Sequence, residues 1–144
     1  MSQGAIQARP RREAAATLLQ SASLPASDLT DVHMEHFYFL GPAGSPAGLV
    51  GLEIFVPDAL LRSLVVAPDY RTGGIGGRLL DHAEAEARRL GIRALYLLTT
   101  TAEAFFARRG YVAADREKAP PGIRSTREFA GLCPASSAFM VKAL

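Results

Sequence analysis

Between Arg71 and Arg78 the chain reads Arg-Thr-Gly-Gly-Ile-Gly-Gly-Arg. The stretch before it, Leu60 to Val66, is apolar and strand-like; Pro68-Asp69 marks a turn, and a long amphipathic helix pattern follows. Glycines that open a helix leave its first backbone N–H groups uncovered. Those donors have no intrahelical partner and stand at the positive end of the helix dipole. Such an end suits an anion, a pyrophosphate above all, and the missing Cβ atoms let phosphate oxygens reach the main chain. Each glycine inside a helix costs roughly 0.8–1 kcal/mol relative to alanine, and a bound ligand would offset that cost. The alternative is a ligand-free strand-to-helix turn, which needs only one glycine.

The chain's 144 residues, 49% of them hydrophobic, suffice for one domain with a real core and are too few for two. Residues 1–144 are therefore expected to form a single domain. No apolar run approaches the ~20 residues of a membrane span. Met1 to Arg12 carries no hydrophobic stretch before a small-residue cleavage site, so no secretory signal is expected and the cytoplasm is the default location. The net charge is only +2 and the arginines are scattered, without the basic stripe interleaved with aromatics that marks a nucleic-acid binder. A single cysteine, Cys133, rules out an internal disulfide.

Periodicity and turn residues predict the remaining elements. Ile6 to Pro10 reads as a short strand, and Arg11 to Ala22 as a helix with Ala15, Leu18 and Leu19 on one stripe. Asp28 is expected to cap a second short helix through His33. Glu35–Leu40, Leu49–Val56 and Ala59–Val66 read as strands, the last two joined by a tight turn at Pro57-Asp58. A helix is expected over Gly74–Leu90, with Ile75, Leu79, Ala83, Ala87 and Leu90 inward, Asp81, Glu84, Glu86 and Arg88 outward, and Gly91 ending it. Ala94–Leu98 reads as a strand parallel to the one before the glycine run, because a helix crosses over between them. Thr101–Arg109 is expected to be a short helix, Asp115–Gly122 a loop because of Pro120-Pro121, Ile123–Leu132 a helix, and Ser137–Leu144 a final strand.

Three phosphate loops compete for the glycine run. A P-loop needs Lys then Ser or Thr after its last glycine, where this chain has Arg78 and Leu79; the dinucleotide fingerprint starting at Gly74 and Gly76 meets Leu79 in its third glycine position. Arg71, Gly74 and Gly76 instead fill the Arg/Gln-x-x-Gly-x-Gly/Ala loop of the GCN5-related N-acetyltransferases, and Phe105-Phe106-Ala107-Arg108-Arg109-Gly110-Tyr111 resembles a second recurrent motif of that family. The order of elements is similar to that fold over the whole chain. Leu61–Pro68, Leu97–Phe106 and Glu128–Pro134 more narrowly resemble small acetyltransferases associated with arsenic-resistance gene clusters.

The resemblance implies an α/β single-domain fold: a mixed, mostly antiparallel sheet of about seven strands, flanked by helices and splayed at strands 4 and 5. It implies acetyl-CoA as cosubstrate. Main-chain groups of Leu64, Val65 and Val66 would meet the pantetheine arm and the acetyl carbonyl. The N–H groups of Arg71, Thr72, Gly73, Gly74, Ile75, Gly76, Gly77 and Arg78 would hold the pyrophosphate, with Arg71 and Arg78 adding charge. Members of the family are often dimers, so a homodimer is a further expectation.

The implied reaction is attack of a neutral amine on the acetyl thioester through a tetrahedral oxyanion. Positioning supplies roughly 7–11 kcal/mol in well-oriented systems, and one backbone donor such as the Val66 N–H about 2.7–4 kcal/mol. Glu53 is the candidate base, because a carboxylate in mid-strand is seldom placed there for packing alone. The hairpin turn would set it opposite Arg62. That pair either holds a substrate's ammonium and carboxylate, with Ser63 and Thr99 beside it, or is a cross-strand ion pair without catalytic duty. Many family members carry Tyr where this chain has Phe106, which cannot protonate a thiolate; Tyr96 and Thr99 to Thr101 are the other candidates. His33-Met34-Glu35-His36 has metal-ligand residue types but no evident third ligand, so no metal is expected.

The expected activity is acetyl transfer to a small amine or amino-acid-like acceptor, in arsenic or xenobiotic resistance by analogy with the subgroup. A non-catalytic acyl-CoA-binding regulator and a peptide or protein N-acetyltransferase are the other readings.

Overall fold

The computed structural model describes residues 4–144. Met1, Ser2 and Gln3, which head the segment expected to lack a secretory signal, lie outside the described residues. No helix among the described residues is long and apolar enough to cross a membrane. The strands are β1 (Gln7–Ala8), β2 (Phe37–Leu40), β3 (Gly48–Phe55), β4 (Asp58–Val66), β5 (Ala94–Thr99), β6 (Val112–Ala113) and β7 (Ala138–Ala143). The α-helices are α1 (Arg12–Ser21), α2 (Ile75–Arg89), α3 (Glu103–Arg108) and α4 (Pro121–Arg124). The seven strands form one mixed sheet in the order β1-β2-β3-β4-β5-β7-β6, with β4 parallel to β5 as the crossover helix requires. Two compact units are distinguishable: residues up to Glu53 together with Leu61–Glu86, and Ile54–Leu60 together with Ala87–Leu144.

In the first unit β2 pairs antiparallel with β1 (Gln7 opposite Phe39) and with β3 (Phe37 opposite Gly51, Phe39 opposite Leu49). The apolar stripe of α1 is buried as its spacing predicts: Ala15, Leu18 and Leu19 pack with Leu29, Met34, Phe37, Phe39, Leu49 and Val65. Burying each of the larger side chains contributes roughly 1.5–3 kcal/mol. Gly48 lets α2 come close to β3, because a Cβ there would meet Leu79 at 2.9 Å, Ile75 at 3.2 Å and the Val65 carbonyl at 3.0 Å. That approach seats the first turn of α2 at the end of β4.

The helix expected from Asp28 to His33 is absent. Turns occupy that stretch and a single 3-10 turn follows at His33–His36, because the Asp28 carboxylate is committed to Arg62 and caps nothing. The turn between β3 and β4 falls at Val56-Pro57, a cis peptide, so Asp58 already belongs to β4. In α2, Ile75, Leu79, Ala83 and Ala87 are buried as expected, Leu90 only partly, and Gly91 follows with φ +87°. Glu84, expected outside, is buried at 5% exposure beside Leu80, so the inward face is wider than the stripe read from the sequence.

In the second unit β7 pairs antiparallel with β5 along its length, from Ala94 opposite Ala143 to Thr99 opposite Ala138, and with β6. The strand β6 was not expected; two residues hold no period, and Val112 and Ala113 gain their extended form from β7. A core of Leu60, Ala119, Ile123 and Phe139 is flanked by Phe55, Tyr96, Leu98, Ala114 and Phe129. Pro121 starts a helix instead of excluding one, since proline fits the first helical position. The helix expected over Ile123–Leu132 is split into α4 and a π-turn at Glu128–Leu132, where Gly131 has φ +149°.

Candidate active site

The end of β4 and the start of α2 are joined by eight residues tied to one another. The Ala67 N–H donates to the Ala47 carbonyl at 2.8 Å and the Tyr70 N–H to the Ala67 carbonyl at 2.9 Å, making a 3-10 turn over Pro68–Tyr70. Arg71 to Gly74 form a second turn, exposed throughout. Gly74 has φ +73°, in the left-handed region that favours glycine, and the space a Cβ would take is open. The first intrahelical bond runs from the Arg78 N–H to the Gly74 carbonyl at 3.2 Å. The N–H groups of Gly74, Ile75, Gly76 and Gly77 therefore precede any intrahelical acceptor. Two N–H groups of the run from Arg71 to Arg78 have partners within the fold. The Gly73 N–H is spent on the Tyr70 carbonyl at 3.3 Å, and that of Arg78 closes the helix. Arg71 Nε donates to the Val66 carbonyl at 3.1 Å and Arg78 Nη2 to the Gly4 carbonyl at 3.0 Å.

Four residues before the end of β4 lies a buried charge cluster. Arg62, with no side-chain exposure, donates from Nη1 to Asp28 Oδ2 at 2.5 Å and to Glu53 Oε2 at 3.1 Å. Its Nη2 donates to Asp28 Oδ1 at 2.9 Å and to the Pro25 carbonyl at 3.5 Å, and its Nε to Ser63 Oγ at 3.0 Å. All five guanidinium N–H groups are thus engaged within the fold. The ion pair with Glu53 is present as the hairpin predicts, but Arg62 has no donor left for a substrate carboxylate. Ser63, which accepts from it, has φ +62° and interrupts the regular run of β4. Burial pushes the Asp28 carboxyl up, while the hydrogen bonds and charge of Arg62, with His33, pull it down and prevail.

Glu53 is less deeply buried than Asp28 and Arg62: its side chain is 14% exposed, and Oε1 lies 3.7 Å from His33 Nε2. His33 is fixed in turn by Thr30, whose N–H donates to Nδ1 at 3.0 Å and whose Oγ1 lies 3.0 Å from the same nitrogen. Asp28, His33 and Glu53 offer ligand atoms within 4.8 Å of one another, a set that does not include His36. The Arg62 guanidinium already lies against both carboxylates and supplies their counter-charge. Asp28 was not legible as a member of this cluster, because its partner lies 34 residues away and is set by packing; Thr30, three residues from His33, joins the cluster only through that ring.

The other candidates are placed as follows. Thr99 Oγ1 accepts the Ala102 N–H at 3.0 Å, so Thr99 and not Thr101 supports the start of α3. Phe106 is a core residue, edge-on to Phe105 and Tyr111 with ring centroids 5.2 and 5.5 Å away. Tyr96 stacks on Phe139, and burial together with the nearby Asp58 raises its phenol above the ordinary value. His82 packs edge-on against Tyr38.

Residues 33–113, more than half of the chain, match the family described as the Acetyltransferase (GNAT) domain. An amino-acid acetyltransferase of Azotobacter vinelandii is 45% identical over 60 residues, which make up 42% of this chain and 14% of that protein. The chain thus spans about one-seventh of the length of that curated relative. The crystal structure of N-acetylglutamate synthase from Neisseria gonorrhoeae, complexed with coenzyme A and N-acetyl-glutamate, is 27% identical, with a TM-score of 0.80 over 97% of this chain and 35% of that one. A GNAT-family acetyltransferase from Staphylococcus aureus Mu50 shares the fold at a TM-score of 0.76 and 17% identity, over 97% of this chain and 98% of that one. The chain belongs to the GNAT acetyltransferase family.

Proposed function

We propose that this chain is an acetyl-CoA-dependent N-acetyltransferase whose acceptor is a small amine of the amino-acid type. The observation that carries this reading is β4 running into a glycine turn whose left-handed residue, Gly74, opens the N-terminus of the 15-residue helix α2. Acetyl-CoA supplies an activated thioester. The N–H groups of Gly74 to Gly77 take its diphosphate, with Arg71, Thr72, Gly73 and Arg78 at the rim. The main chain of Leu64, Val65 and Val66 aligns the pantetheine arm, and the Val66 N–H faces the acetyl oxygen, where a preorganised donor contributes about 2.7–4 kcal/mol. Glu53 takes the proton from the attacking amine.

The acceptor class is supported by the curated relatives, named as amino-acid acetyltransferases, and by a solved relative holding N-acetyl-glutamate. The stretches similar to arsenic-associated acetyltransferases favour an amino-acid-like organoarsenical within that class. Thiol release from acetyl-CoA against α-amino acids, simple amines and N-terminal peptides tests the proposal. Release with free amino acids is expected. Release with peptides alone would make the chain a peptide acetyltransferase, and saturable CoA binding without release would make it an acyl-CoA-binding regulator.

A further inference from the structure

With Arg62 fully engaged, recognition of an amino-acid acceptor falls to the members of the charge cluster that still meet solvent. Asp28 and Arg62 are 2% and 0% exposed, whereas the His33 and Glu53 side chains are 22% and 14% exposed. Their facing atoms are Glu53 Oε1 and His33 Nε2, 3.7 Å apart.

Their chemical characters are fixed by what stands behind them. A backbone N–H can only donate, so the Thr30 N–H on His33 Nδ1 requires a lone pair there and places the proton of the neutral ring on Nε2. His33 therefore presents an N–H donor. Glu53 Oε2 is held by Arg62, which leaves Oε1 as an acceptor. A donor and an acceptor side by side at this spacing match the two ends of an α-amino acid, whose carboxylate accepts and whose amine donates.

We infer that His33 and Glu53 form the recognition pair for an α-amino-acid acceptor, His33 Nε2–H taking the carboxylate and Glu53 Oε1 the amine. His33 is thereby a specificity-determining residue, and Thr30 is the residue that holds its ring in the donating form. The inference rests on the acetyltransferase reading above and adds the substrate's carboxylate to it. The cluster carries one guanidinium and two carboxylates, an excess of negative charge that suits the amine, while the His33 donor stands at its open edge.

The test compares each α-amino acid with the amine lacking its α-carboxylate, using phenylalanine with phenethylamine and glutamate with 4-aminobutanoate. In wild-type protein kcat/KM is expected to favour the amino acids. His33→Ala is expected to lower kcat/KM for the amino acids roughly 10- to 100-fold, the scale of a hydrogen bond to a charged group, and for the amines less than about threefold. His33→Gln, which retains an N–H donor, is expected to keep more of the preference than His33→Ala. An equal loss on both members of a pair means a merely structural role and overturns the inference alone, as does an unchanged preference in His33→Ala. A failure of every acceptor to give thiol release, despite CoA binding by calorimetry, overturns the acetyltransferase reading and this inference with it.

Discussion

Asp28 and Arg62, 34 residues apart in the chain, meet as a two-pronged ion pair with N···O distances of 2.5 and 2.9 Å and almost no exposure to water. This pair anchors the loop before β2 to the middle of β4, and it holds Arg62 where it also reaches Glu53. Removing one partner of such a pair leaves a buried charge without compensation, at a cost of about 3–5 kcal/mol. Asp28→Ala is expected to lower the unfolding free energy in urea by that amount. A loss below about 0.5 kcal/mol, the scale of a surface substitution, would contradict the assignment.

The same pair gives the stability a pH dependence of known sign. The Asp28 carboxyl is held below its ordinary value of 3.8 in the folded protein. A depressed carboxyl adds stability that is fully present above the unfolded-state value and is lost as pH falls through the folded one. The stability difference between wild type and Asp28→Asn is expected to be constant above about pH 5 and to shrink below about pH 4. A difference that stays level through that range would show that Asp28 is not the group concerned.

Gly74 and Gly91 have similar backbone angles, φ +73° and +87°, at opposite ends of α2. Alanine at either position is forced into the left-handed region, at about 1–2 kcal/mol. Gly74→Ala and Gly91→Ala are therefore expected to lose comparable stability, while only Gly74→Ala weakens coenzyme A binding. Equal CoA affinity in the two variants, read by calorimetry, would remove Gly74 from the binding loop.

Glu53→Gln keeps the shape of the side chain and removes its capacity as a base. The expected result is a fall in kcat/KM of about 100-fold or more, within the range of general-base catalysis, with CoA affinity unchanged. A rate within about threefold of wild type across pH would mean that the amine loses its proton without Glu53, leaving the residue as a partner of Arg62 only.

The strand–glycine–helix unit was legible because it is local. Leu60 to Val66 reads as a mostly apolar strand, Gly74 turns the chain, and Ile75, Leu79, Ala83 and Ala87 repeat at the helical period. The Glu53–Arg62 pair was legible for the same reason, since a hairpin brings close residues together. Asp28 was not: its side chain looks like a helix cap, and its actual partner lies 34 residues away. Thr30 gave no signal and His33 drew notice only as a metal-ligand residue type, because the value of their contact depends on the Glu53 carboxylate supplied by β3. The strand β6 and the start of α4 at Pro121 were hidden by brevity, two residues and one turn whose conformations are fixed by neighbours.

The central claim is that the N–H groups at the start of α2 hold the diphosphate of coenzyme A. Calorimetric titration of the folded protein with coenzyme A, and separately with pantetheine, tests it most directly. Saturable heat with coenzyme A and little or none with pantetheine, which lacks the diphosphate, is the predicted result. Absence of binding to coenzyme A at millimolar concentration, or equal affinity for the two, would contradict it.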